Sequence, residues 1–65
     1  MTITCKPGWR VSTVPDTEVT DRTIVTLEHE KAPDVWVEHS RYAVAHAPEQ
    51  DPVATVAELF PAAFD

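Results

Sequence analysis

The chain has 65 residues, five Lys and Arg against eleven Asp and Glu, a formal charge of −6, and a single cysteine. That length allows one small domain over residues 1–65 and leaves little room for both a core and a pocket of roughly 300 Å³. The acidic balance argues against direct binding of a nucleic-acid backbone, and Cys5 alone excludes an intramolecular disulfide.

Lys6-Pro7-Gly8 is a turn signal containing the only glycine. Trp9 to Val14 then alternates large apolar with polar, with Trp9 and Val11 on one face and Val14 breaking the alternation at the end, which reads as a strand. Pro15-Asp16 closes it with turn chemistry. Thr17 to Arg22 is polar and acidic and reads as a loop or an edge. Thr23 to His29 is rich in β-branched residues (Ile24, Val25, Thr26) and is the best strand in the chain. Glu30 to Asp34 reads as a five-residue hairpin loop, followed by a second strong strand over Val35 to His39. Ser40 to Ala47 alternates Tyr42, Val44 and His46 with Arg41, Ala43 and Ala45, which reads as a further strand.

The hairpin register follows from patterning. With Leu27 facing Val37 and His29 facing Val35, one side carries Val25, Leu27, Val35 and Val37 with His29 and His39. The other side carries Thr26, Glu28, Trp36 and Glu38. A slip of one residue would set Glu38 against Leu27, so the first pairing is preferred.

Asp51 is a good N-cap and Pro52 suits the first helical position. Val53, Val56, Ala57 and Phe60 follow at i, i+3, i+4 and i+7, an amphipathic stripe. Pro61 stops the helix at Phe60. About nine residues do not make a stable helix alone, so this one must pack, most economically on the aliphatic side of the hairpin. Pro61 to Asp65 is left as a short apolar tail.

Six prolines and the net charge lean toward disorder, but 43% hydrophobic residues and two tryptophans outweigh them. The N-terminal residues have no apolar signal-peptide core. The longest apolar run, Leu59 to Phe64, is broken by Pro61 and falls far short of the ~18 residues of a membrane span. The expected location is cytoplasmic. Abundant Ala, Val, Pro, Asp, Glu and Thr, with no Asn and two Lys, suit a high-GC bacterium or one of its phages.

Four constellations are candidates for chemistry or binding. His29-Glu30 and Glu38-His39, with His46 further on, are residue types that zinc accepts. In the register above, however, His29 and His39 stand four ladder positions apart, roughly 13 Å at 3.4 Å per residue. Cys5 with a His and an Asp would be an unsupported triad, and Ser12 and Ser40 lack a nucleophile-elbow context. No catalytic residue, cofactor or metal site is therefore assigned. The acidic groups Asp16, Glu18, Asp21 and Glu28, Glu30, Asp34, Glu38 suit solubility, and alternatively a nucleic-acid mimic. Lastly, Trp36 lies on the face away from the aliphatic one, and Trp and Tyr are enriched at binding hot spots.

The sequence thus predicts an α+β fold: three or four mostly antiparallel strands with one C-terminal helix on one face. The expected function is a non-enzymatic, acidic protein–protein interaction module, phage- or mobile-element-encoded and self-associating, that binds and modulates a larger host protein. The expected contact residues are Trp36, Glu28, Glu38, Tyr42 and Phe64. An acidic nucleic-acid mimic and a small metal-binding protein are the alternatives.

Overall fold

Alternation of apolar and polar residues builds three strands, β1 (Trp9–Pro15), β2 (Arg22–Ala32) and β3 (Val35–Ala45). They form one antiparallel sheet in the order β1-β2-β3. Helix α1 (Pro52–Leu59) and a 3-10 turn (Pro61–Ala63) follow, so the class is α+β. The computed structural model describes residues 3–65. A fourth strand does not form among them. Residues 35–39 and 40–47, expected as two strands, are a single continuous strand ending at Ala45.

The turns explain where the strands stop. Asp16 Oδ1 accepts from the backbone N–H groups of Glu18 (2.8 Å) and Val19 (3.2 Å), and Oδ2 accepts from Arg22 Nε at 2.7 Å. One aspartate thereby folds the β1–β2 loop back on itself. Gly8 takes φ 88° at the entry to β1, a left-handed conformation that costs glycine nothing. Between β2 and β3 the turn is only Pro33-Asp34, with Asp34 at φ 61°. Proline second and a positive φ third is the pattern of a type II turn.

That tighter turn, together with an irregularity that skips Lys31 between Ala32↔Val35 and Glu30↔Trp36, corrects the register. His29 faces Val37, not Val35, and Leu27 faces Ser40, not Val37. Near His29 the shift from the expected pairing is two residues, which leaves each side chain on its expected side. Between Glu28↔Glu38 and Leu27↔Ser40 the ladder skips His39, a β-bulge that puts His39 and Ser40 on one side together.

The core lies on one face only. Val25, Leu27 and Val44 from the sheet are buried with Val56 of α1, Ala63 and Phe64. Burying a side chain such as Leu27 contributes roughly 1.5–3 kcal/mol relative to leaving it exposed. Asp51 caps α1 by accepting from the Val53 N–H at 2.9 Å, with Pro52 opening the helix. The C-terminal residues are tied to the N-terminal segment. Cys5 bridges Phe64, the Lys6 N–H donates to Ala63 O (2.9 Å), and the Asp65 N–H donates to Thr4 O (3.0 Å). The molecule measures 36 × 26 × 16 Å. A sheet covered on both faces, at about 10 Å per layer, would need about 20 Å across the layers. Strand β1 therefore extends the sheet at its edge; it does not fold over the second face.

Candidate interaction face

The face away from the core is built by the alternate residues of three strands. Arg10 of β1 faces Glu28 of β2, which faces Glu38 of β3. Two carboxylates directly opposite each other on a sheet repel. Each is answered by its own arginine. Arg10 Nε donates to Glu28 Oε1 at 2.9 Å and its Nη2 to Oε2 at 3.3 Å, while Arg41 Nη2 donates to Glu38 Oε1 at 2.7 Å. The bulge at His39 brings Arg41, three residues on, to the same face as Glu38.

Trp36 stands on this face beyond Glu38, opposite Glu30. The Arg10 guanidinium lies over its ring, 4.5 Å from the centroid. Such contacts contribute about 0.5–1 kcal/mol when exposed. The ring is half-buried, and further along the same face Glu38, Arg41, Ser12 and Ala43 are exposed.

Trp36, Glu28 and Glu38 are thus brought together as the sequence suggests, and Tyr42 and Phe64 are not. Tyr42 faces Val25 across the ladder and packs against the core on the opposite side. Phe64 is 6% exposed, a member of the core itself. The sequence does not display the pairing of the apolar tail with residues 4–6, and so leaves the tail looking like a free docking element. Arg10 and Arg41 are the residues that sequence reasoning misses. Arg10 is legible in principle, since the alternation of Trp9 and Val11 forces it onto the Trp36 side. Arg41 is not, because the bulge decides its side.

The two histidines correct a second expectation. Trp9 packs on His29 (centroids 4.9 Å apart), on His39 (5.1 Å) and on Phe60 (5.4 Å), and His39 packs on Phe60 at 4.9 Å. The revised register and the bulge bring both imidazoles to one tryptophan instead of holding them roughly 13 Å apart. Among the described residues, no group of three or more His, Cys, Asp or Glu is arranged to hold a metal ion. His46 is pinned separately. Its Nδ1–H donates to Ala47 O (2.8 Å), which leaves Nε2 to accept from the Thr23 hydroxyl (2.6 Å).

Among the described residues, two groups titrate away from their ordinary values. Backbone N–H donation from Glu18, then the Arg22 guanidinium, hold the Asp16 carboxyl below the usual carboxylate range. Burial, helped by the nearby Asp65 carboxylate, pushes the Cys5 thiol up, which disfavours the reactive thiolate. No enclosed pocket forms among the described residues. Comparison with known protein families, with curated proteins and with solved structures finds no match.

Proposed function

We propose that this chain is a non-enzymatic protein–protein interaction module, which binds a larger protein through the outer face of its sheet and modulates it. The observation that carries the reading is Trp36. It lies half-buried on the face away from the core, beside the Arg10–Glu28 and Arg41–Glu38 ion pairs and with the Arg10 guanidinium over its ring. An aromatic anchor flanked by polar groups is the composition of a binding hot spot. The anchor residues are Trp36, Glu28 and Glu38, with Arg10 and Arg41 as their supports. The partner is a cytoplasmic protein of the host cell, for a chain carried by a phage or mobile element.

A second reading rests on the charge. Three of the five basic side chains are held in ion pairs with Asp16, Glu28 and Glu38, so the remaining carboxylates dominate the surface field. Such a surface suits an acidic mimic that occupies a nucleic-acid-binding groove.

One experiment separates them. Tagged wild-type protein and Trp36→Ala are used to capture partners from the native host, with washes up to about 1 M salt, where the Debye length falls to about 3 Å. The interaction module retains its partner at high salt and loses it in Trp36→Ala, whose circular dichroism stays unchanged. A partner released by moderate salt and indifferent to Trp36 supports the mimic instead. Unfolding of Trp36→Ala would place this side chain among the structural ones and overturn the assignment.

A further inference from the structure

Strand β3 is one edge of the sheet, and its eleven residues contain neither proline nor lysine, two residue types that commonly guard such edges. Apart from its ladder to β2, β3 makes no backbone hydrogen bond among the described residues. The opposite edge, β1, has seven residues and ends in Pro15, which lacks an N–H donor.

The order of faces along β3 has a symmetry. Val35, Val37 and His39 point to the core side, as do Ser40, Tyr42 and Val44; Trp36 and Glu38 point to the outer side, as do Arg41 and Ala43. The sequence of sides therefore reads the same in both directions from the midpoint between His39 and Ser40. A regular strand cannot have this property about such a midpoint, because alternation would place neighbouring residues on opposite sides. The bulge creates it, by putting His39 and Ser40 on one side.

We propose that two copies of this chain pair antiparallel through β3 about a twofold axis between His39 and Ser40, forming one continuous six-stranded sheet. Facing residues in an antiparallel ladder share a side, and in this register all of them do. Glu38 meets Arg41 of the second copy, and Arg41 meets its Glu38. Trp36, a large side chain, meets a small one, Ala43. Val37 and Val35, which are 40% and 48% exposed in the single chain, meet Tyr42 and Val44. A slip of one residue would set core-side residues against outer ones across the bulge. A slip of two loses the reciprocal Glu38–Arg41 match. A bulge usually spoils an edge for pairing; lying on the symmetry point, this one fits its own copy and disfavours an unrelated straight strand.

This inference deepens the self-association expected of the module and rests on that reading only to that extent. Glu38, Arg41 and Trp36 belong to both surfaces, but self-association uses the backbone edge of β3, whereas partner binding uses the outer face, so the two are read by different measurements. The test uses Glu38→Arg and Arg41→Glu. Alone, each variant places like charges opposite each other twice across the twofold axis, and the Kd for self-association should rise at least about tenfold. Mixed one to one, the two variants restore both opposite-charge pairs across the interface, while the charge clash inside each chain is left unchanged.

Sedimentation velocity should therefore find a wild-type dimer, two monomeric variants and a dimer in the mixture. A wild type that stays monomeric up to millimolar concentration overturns the proposal. So does a folded mixture that stays monomeric, or a dimer that persists in both variants. Should either variant unfold, hydrogen exchange of the wild type decides the matter. The β3 amides slow as concentration rises through dimerisation, and exchange independent of concentration overturns the pairing. The mixing experiment reads only self-association, so its failure leaves the Trp36 reading standing, and the reverse holds for partner capture.

Discussion

Truncating Phe64 to alanine should remove much of the stability of this chain, although it is the penultimate residue. Its side chain is 6% exposed and belongs to the same buried cluster as Val25, Leu27 and Val56. Removing a buried phenylalanine side chain costs about 3–5 kcal/mol, the lost transfer energy plus the cavity it leaves. Native proteins carry about 0.05–0.15 kcal/mol per residue, which for a chain of this length is about 3–10 kcal/mol in total. The loss is thus about a third of the total at the least and the whole of it at the most. Each kcal/mol moves the melting temperature of a domain this size by about 4–8 °C, so Phe64→Ala should melt at least about 12 °C lower. Urea denaturation followed by circular dichroism reads the same loss as a fall in the midpoint. Leu59→Ala is the control. Leu59 is a larger side chain than most in the core, yet it is 62% exposed at the end of α1, and its truncation should stay within about 0.5 kcal/mol. If the two variants melt together, the C-terminal residues are not docked on the sheet in solution, and Phe64 has no place in the core.

Three further expectations follow from the turns and caps. Asp51→Ala should lower stability by about 0.5–2 kcal/mol by orphaning the Val53 N–H, with Asp51→Ser recovering most of the loss in urea melts. Gly8→Ala should cost about 1–2 kcal/mol through its positive φ alone, because a Cβ at that position meets no atom within 4 Å; Gly8→Asn, which tolerates this conformation, should cost less. Asp16 gives a pH signature with a definite sign. Its carboxyl is depressed in the folded chain, so its contribution to stability is present above the ordinary carboxylate value and is lost as pH falls through the folded one. Wild-type stability should drop across that acidic window by more than that of Asp16→Asn, and parallel pH profiles for the two would refute the role given to the Asp16 turn.

How much of the fold is legible in the sequence depends on the range of the interaction that decides each part. Strands β1 and β2, the helix start at Asp51-Pro52 and its stop before Pro61 follow from alternation, propensity and capping, all of which act within a few residues. The division of side chains between two faces is also legible, and it places Glu28, Glu38 and Trp36 together. The register is not. It depends on whether Glu30 to Asp34 is a loop or whether Pro33-Asp34 alone makes the turn, and an aspartate tolerates the left-handed conformation that the tighter turn needs. The bulge at His39 is invisible for the same reason, and with it go the side of Arg41 and the meeting of His29 with His39. Phe64 fails differently: its burial depends on pairing with the opposite end of the chain at Cys5, which no local pattern encodes.

The hairpin overhangs its neighbour. Pairing between β1 and β2 ends at Trp9↔His29, while β2 and β3 continue together to Ala32↔Val35. Beyond that point one further bond ties the hairpin to the segment before β1, from the Glu30 N–H to Gly8 O at 2.8 Å. Two-stranded ladders are marginal in water. The tip should therefore exchange its amide protons by local fraying, while Val25, Leu27 and Val44 exchange only on global unfolding. Trp36 rides on that tip. Whatever settles on it must also hold still a segment that the rest of the domain leaves free to open, and the affinity measured will include the entropy of quieting it.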